Sequence, residues 1–394
     1  MTVHQPWNDW IEERLAERRE NDLLRSLQAL KPISPVRVTR KTGDELILFS
    51  SNDYLGLSGD DRVVRGVIET VQRHGLGPRG SPLICGYSTL HQRLEDKIAR
   101  WKGTEAALLC PTGFSANLAV ISALSDESTT IFSDALNHAS IIDGCTLAKR
   151  KGAHLKVYPH RDVGALETML QECSTDRALV VSDSVFSMDG ELAPLRELAE
   201  LCERYNALFV IDEAHGSFAF GDGGRGLADA QGVADRVDVH VATLSKGAGG
   251  LGGFIATTAS IKSLLLNLGR SYIYSTAAPL SVIGGLLAAI DVVTNDDEPQ
   301  ARLWRRIKQL GDGLNRTLHS PIVPIVIGDK AETLEASAFL RQRGIDVTAI
   351  RPPTVPPGTS RLRITVSAAH GVADIERLIH ALRALDEHRE EEND

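Results

Sequence analysis

Two polar residues end apolar runs in this chain in a way that could carry chemistry. In "LFVIDEAHGSF" (208–218) the run ends at Asp212, with Glu213 and His215 close behind. In "VATLSKGAGG" (241–250) it ends at Lys246, flanked by Thr243 and Ser245 and followed by glycines. Asp-Glu-Ala-His also marks nucleic-acid helicases, where the aspartate faces magnesium and a nucleotide. That chemistry needs a partner loop, G-x-x-x-x-G-K followed by Ser or Thr, to cradle the phosphates. No Gly-Lys pair followed by Ser or Thr occurs here. The glycines "GAGGLG" (247–252) fit G-x-G-x-x-G, but a dinucleotide fingerprint must open a helix. These lead into "GFIATT", a second strand.

What remains is an amine and a carboxylate at the ends of two apolar strands. A lysine shielded by apolar neighbours has a lowered pKa and can form a Schiff base. An aspartate beside it suits a pyridine nitrogen, keeping it protonated so that the ring draws electrons. This is the constellation of pyridoxal 5'-phosphate, and it turns Asp212 toward a pyridinium instead of magnesium. The cofactor's phosphate needs backbone donors at a helix N-terminus. "LLCPTGFSANLAV" supplies a strand, the Gly113-Phe114 turn and a helix. The ring needs a cover, for which His138 in "DALNHASIIDG" stands at a strand-to-helix turn. Ser187 in "SVFSMDGE" and His215 are the expected partners of the phenolic oxygen.

The elements that must position these residues read as α/β. Seven short β-rich runs, "AALLC" (106–110), "TTIFSD" (129–134), "HLKVYPH" (154–160), "ALVVSDSV" (178–185), "LFVIDEAH" (208–215), "VHVATLSK" (239–246) and "GFIATT" (253–258), alternate with helical stretches. The alternation predicts a large domain, 51–292, with a mostly parallel seven-stranded sheet flanked by helices. Ligands in such sheets bind beyond the carboxyl ends of the strands. A helix over 7–30 belongs to an N-terminal arm, 1–50. After the polar break "VTNDDEPQ" (293–300), a smaller α/β domain is expected over 293–394.

Bulk properties narrow the function. A net charge of −9 with no block of Lys and Arg argues against a nucleic-acid partner. No window is apolar enough to span a membrane, and the first twenty residues lack a signal-peptide core. The five cysteines are scattered without a C-x-x-C pair, which points to reduced thiols in the cytoplasm with no zinc or other metal site.

Nine segments in order, "SNDYLGL", "GYSTLHQRLE", "TGFSAN", "NHASIIDG", "SVFSMDG", "IDEAHG", "TLSKG", "YIYSTAAP" and "RPPTVPPGTSRLRITVSAAH", resemble the α-oxoamine synthases among fold-type I pyridoxal phosphate enzymes. These enzymes join an amino acid to an acyl thioester and lose carbon dioxide. The resemblance implies that Lys246 carries the cofactor and serves as base, and that Thr243 helps with the phosphate. It also implies that His138 covers the ring and assists proton transfers. Arg363 would bind the substrate carboxylate, with Arg361 as the alternative, expected on the opposite face of its strand. Asn52, Arg25 and Thr354 match substrate-contacting positions. Thr276, in "YIYSTAAP", would reach the phosphate of a neighbouring subunit, which implies a homodimer with shared active sites. The tract "TAIRPPTVPPGTSRLRITVSAAH" is most similar to members that condense L-alanine with pimeloyl-CoA or pimeloyl-acyl carrier protein in biotin biosynthesis. Relatives that use glycine or serine are the alternative. "GLGPRGSPLICGYS" departs from the family's Gly-Ser-Arg pattern, with Pro82 in the arginine's place, in a segment that shapes the acyl-donor site.

Overall fold

The seven runs form one sheet in the order β4–β10–β9–β8–β7–β5–β6. In this computed structural model, which describes residues 4–393, the strands are β4 (Ala106–Cys110), β5 (Thr129–Asp134), β6 (His154–Tyr158), β7 (Arg177–Asp183), β8 (Leu208–Asp212), β9 (Val239–Thr243) and β10 (Gly253–Thr257). β10 runs antiparallel to both neighbours, and the other pairings are parallel. The expected α/β class and mostly parallel sheet are what the structure has.

Every residue of β5, β9 and β10 is buried, because helices cover both faces. Side chains alternate between two cores. Val210 joins Val181, Val241 and the helices Gly113–Ala123 and Ala139–Arg150. Phe209 and Ile211 join the opposite core, with Ile98 of Thr89–Lys102 and Leu198 of Leu195–Arg204. Each such buried side chain contributes about 1.5–3 kcal/mol. The alternation carries past the strand end, so Asp212 and Glu213 are directed to opposite faces.

The remaining strands are β1 (Lys31–Ser34), β2 (Arg37–Thr39), β3 (Glu45–Leu48), β11 (Ile322–Gly328), β12 (Ile345–Asp346), β13 (Thr348–Ile350) and β14 (Ser360–Thr365). They form a sheet β1–β2–β3–β12 and a sheet β11–β14–β13. The β3–β12 pairing lays residues 45–48 directly on the C-terminal third. The N-terminal helix is shorter than expected, Gln5–Glu20. It stops where the Asn21 side chain bonds the Glu17 carbonyl and Asp22 adopts φ 53; both residues favour turns over helix continuation. The polar break after Asn295 is only Asp296 and Asp297, since another helix begins at Glu298.

Candidate active site

The carboxyl ends of β7, β8 and β9 meet the strand-to-helix turns after β4 and β5 around a cavity of about 210 Å³. Its wall holds Asp183, Asp212, Ala214 and His215, then Thr243, Ser245 and Lys246, and from the turns Thr112, Gly113, Phe114, His138 and Ser140. Hollows of about 450, 600 and 430 Å³ lie elsewhere on the surface; the first two contain no lysine, and the third holds Lys151, whose amine bonds the Ser122 carbonyl at 2.8 Å.

Lys246 sits in a turn closed by the Gly249 N–H on its carbonyl and by Leu244 and Gly252 across the loop. Its amine lies 2.8 Å from His215 Nε2. On the other side of that ring the Tyr54 hydroxyl meets Nδ1. Burial pulls the Lys246 amine down to about 8, opposed by the charges of Asp212 and Asp183 and assisted by Arg363. The same burial, with Lys246, Arg363 and His138 nearby, pushes His215 well below the usual imidazole range. Lys246 therefore shares its hydrogen bond with a neutral ring, not with a carboxylate.

Asp212, which ends β8, accepts from Asn117 Nδ2 at 2.6 Å and from the Ala214 N–H at 2.8 Å. It stands opposite Asp183 in the register of β7 and β8. Asp183 Oδ2 accepts the His138 N–H at 2.8 Å, and burial together with Asp212 raises its carboxyl well above the ordinary range. His138 lies edge-on to Phe114, with ring centroids 6.4 Å apart, and its Nδ1 is 2.7 Å from the Ser140 hydroxyl. Burial lowers its pKa.

The helix Gly113–Ala123 is capped by Thr112, whose hydroxyl accepts the Ser115 N–H at 3.0 Å. Gly113 and Phe114 thus supply the first N–H groups, which no carbonyl within the helix can reach. The start of β10 runs beneath this turn. A Cβ on Gly253 would meet Gly113 N at 2.5 Å, so only glycine fits there. Thr243 stands at the same edge, its hydroxyl 2.6 Å from Ser245 Oγ. A helix N-terminus, a buried carboxylate, a depressed lysine and an imidazole on one cavity wall fit pyridoxal 5'-phosphate.

The other expected residues lie around this wall or away from it. Arg363 reaches it with its charge and bonds the Asn52 side chain at 3.2 Å and the Ser187 carbonyl at 2.5 Å. Ser187 thus meets Arg363 through its backbone, and its hydroxyl is not part of the cavity wall. Arg361 does not point to the opposite face as expected. Residues two apart on a strand share a face, and both arginines reach the 187–189 loop, where Arg361 pairs with Asp189. That carboxylate occupies Arg361 and leaves Arg363 as the arginine beside the cavity. Arg25 and Thr354 come together at 3.3 Å from opposite ends of the chain, but not on the cavity wall. Thr276 is exposed and lines a separate small hollow with Tyr87 and Tyr272.

Sequence reasoning missed Tyr54, Asn117, Ser140 and Asp183. Asp183 carried the signal that had exposed Asp212, a carboxylate ending an apolar run. The other three lie inside segments quoted above and are recognisable only by what they touch.

The family Aminotransferase class I and II matches residues 44–382. The 8-amino-7-oxononanoate synthase of Arabidopsis thaliana is 44% identical over 86% of this chain and 74% of its own. That of Anaeromyxobacter dehalogenans is 43% identical over 96% of this chain and 95% of its own. The chain belongs to the 8-amino-7-oxononanoate synthase family. As such it is a pyridoxal phosphate-dependent transferase of the acyltransferase type. Among solved structures, a serine palmitoyltransferase from S. paucimobilis with a PLP–myriocin aldimine bound has a TM-score of 0.90 at 28% identity, over 98% of each chain. The Francisella tularensis 8-amino-7-oxononanoate synthase has a TM-score of 0.73 at 26% identity, over 89% of this chain and 99% of that one. The fold is shared by proteins of both names, and the 43–44% identities are to 8-amino-7-oxononanoate synthases.

Proposed function

We propose that this chain condenses L-alanine with a pimeloyl thioester, on coenzyme A or an acyl carrier protein, giving 8-amino-7-oxononanoate, carbon dioxide and free thiol in biotin biosynthesis. The observation that carries the reading is the Lys246 amine, lowered to about 8 and sharing one cavity with Asp212 and the Gly113–Phe114 helix start. Pyridoxal 5'-phosphate held there supplies an electron sink for the charge that develops at the amino acid Cα.

The chain's own groups have separable tasks. Lys246 would hold the cofactor and take the proton from the amino acid Cα; an amine lowered to about 8 can accept and release a proton near neutral pH. Asp212 keeps the ring nitrogen protonated. The N–H groups of Gly113 and Phe114, with Thr243, hold the phosphate. His215, already bonded to Lys246 and Tyr54, would hold the phenolic oxygen. Arg363 takes the alanine carboxylate in its planar fork, with Asn52 beside it. Arg25 and Thr354, which meet where the N-terminal arm reaches the C-terminal third, contact substrate. Thr276, exposed and off its own cavity wall, serves the phosphate of the neighbouring subunit in a homodimer with shared sites. Among the described residues no helix is long and apolar enough to cross a membrane. The scattered cysteines, without a C-x-x-C pair, support our assignment of the reaction to the cytoplasm.

The test is thiol release from pimeloyl-CoA by the cofactor-loaded protein, with L-alanine or glycine as the amino substrate. Release with alanine, together with a product of the expected mass, is the predicted result. Release only with glycine and a short acyl-CoA would keep the reaction type and overturn the substrates.

A further inference from the structure

His138 caps the helix Ala139–Arg150 with its own ring, Nδ1 accepting the Ser140 backbone N–H at 3.2 Å. A backbone N–H can only donate, so Nδ1 presents a lone pair and carries no proton. The Ser140 hydroxyl stands 2.7 Å from the same nitrogen. Its oxygen lies 2.9 Å from Asn117 Nδ2, which donates, leaving the hydroxyl proton to point at Nδ1. The second hydrogen of that amide goes to Asp212 Oδ2 at 2.6 Å, while the Ala214 N–H serves Oδ1. Both carboxylate oxygens accept, the pattern of an ionised Asp212. Turning the Asn117 amide over would set its oxygen against that carboxylate. The donor orientation therefore holds, even though it leaves Asn117 Oδ1 buried without a partner. Asn117 and Ser140 are each 1% exposed, so the chain of bonds is sealed from bulk solvent.

We propose that Ser140, backed by Asn117, is a positioning residue that locks His138 as the neutral ring with its proton on Nε2, making it a hydrogen-bond donor to the substrate and not a base. The proposal rests on the reading above that this cavity is the reaction site, and it assigns the part His138 plays there. With Nδ1 accepting two hydrogen bonds, the ring could act as a base only through Nε2, and that nitrogen already holds the proton. Taking a proton at Nδ1 would break both bonds and the helix cap together. A neutral imidazole N–H polarises a carbonyl without giving up its proton. The thioester carbonyl and the amino acid carboxylate are both groups it can serve. Proton removal then falls to Lys246 alone, and Asp212, Asn117, Ser140 and His138 act in series. The ionised carboxylate orients the amide, the amide orients the hydroxyl, and the hydroxyl fixes the ring.

The experiment is nitrogen NMR of the holoenzyme labelled with ¹⁵N-histidine, using His138→Gln to identify the signal. An unprotonated Nδ1 and a protonated Nε2 are expected. Ser140→Ala keeps the backbone bond and removes the hydroxyl. It should move the Nδ1 resonance and lower kcat about threefold to tenfold, the worth of one hydrogen bond. Ser140→Thr restores the hydroxyl and should restore both readouts. A protonated Nδ1 in the unmodified enzyme would overturn the proposal. So would a Ser140→Ala variant with Nδ1 resonance and kcat both unchanged. The cofactor-free protein separates this inference from the cofactor reading. The tautomer stands on bonds within the chain and is expected there too, whatever the cavity binds.

Discussion

Two lysines flank the Asp-Glu pair at the end of β8, the buried Lys102 on one face of the sheet and the half-buried Lys246 on the other, and their surroundings differ. Lys102 Nζ touches Glu213 Oε2 at 2.6 Å, with both side chains at most 1% exposed, and it also bonds Ser217 and the Arg225 carbonyl. Glu213 is closed off further by the Ala228 N–H at 2.8 Å. Nothing is left over for a ligand. On the other face, no carboxylate among the described residues is in contact with Lys246. Its partner is the neutral His215, and a cavity opens beside it. Direct pairing with hydrogen bonds on every side holds a lysine in place. Burial beside carboxylates at a distance leaves the amine depressed to about 8 and available for chemistry. Adjacent residues of one tetrapeptide thus serve a structural lock on one face and the proposed reaction site on the other.

The contrast predicts opposite consequences for the two lysines. Lys246→Met should reduce kcat by about 10³-fold or more, while leaving the urea midpoint of the cofactor-free protein unchanged or raised. The native state disfavours that charge, and relief from burying it offsets the loss of the one hydrogen bond to His215. Glu213→Gln should do the reverse. Leaving Lys102 buried and unpaired costs about 3–5 kcal/mol, read by urea unfolding, with cofactor absorption retained in the protein that remains folded. Combining Lys102→Met with Glu213→Leu should recover most of that loss, because an apolar pair of similar volume removes the stranded charge. A destabilised Lys246→Met variant, or a Glu213→Gln variant as stable as the parent, would erase the distinction.

Arg363→Lys sharpens the comparison by separating charge from shape. Lysine keeps the positive charge that helps depress Lys246 but loses the planar fork. The alanine KM should rise about tenfold to a hundredfold, the worth of a charge-assisted hydrogen bond. The titration of Lys246, followed by cofactor uptake, should stay in place. A moved titration with an unchanged KM would show that Arg363 acts on the lysine and not on the substrate.

How much of this was legible in the sequence follows from the range of the contacts involved. Strands covered on both faces read as apolar runs, and polar residues ending those runs fall at the ligand-binding edge, which located Asp212 and Lys246. The runs overshoot the strands where buried polar residues continue past the last paired position. "LFVIDEAH" was read to residue 215, yet pairing stops at Asp212. Asn117 bonds a residue 95 positions away, and Tyr54 one 161 positions away. No local pattern encodes such partners. Arg361 and Arg363 are alike in type and share a face, and only Asp189, distant in sequence, distinguishes them. The helix reading over 7–30 followed charge spacing past Asn21 and Asp22, whose turn chemistry prevailed.

The smallest expected effect concerns Asp183. Its carboxyl faces the ionised Asp212 across the strand register, and burial with that neighbour raises its pKa well above the ordinary range. Whatever negative charge Asp183 retains holds the Lys246 amine up, against the burial that pulls it down. The neutral amine is the form that captures an aldehyde. Cofactor uptake by the cofactor-free protein should therefore accelerate as pH rises and level off above about 8, where an ordinary lysine would keep gaining beyond 10. Asp183→Asn keeps the shape and an oxygen to accept the His138 N–H while removing the charge. The midpoint should move downward by less than about one pH unit. A shift of that size means the two lysines differ partly because Lys246 has two carboxylates at a distance where Lys102 has one in contact. An unmoved midpoint means Asp183 already holds a proton, and Asp212 alone sets the charge that Lys246 feels.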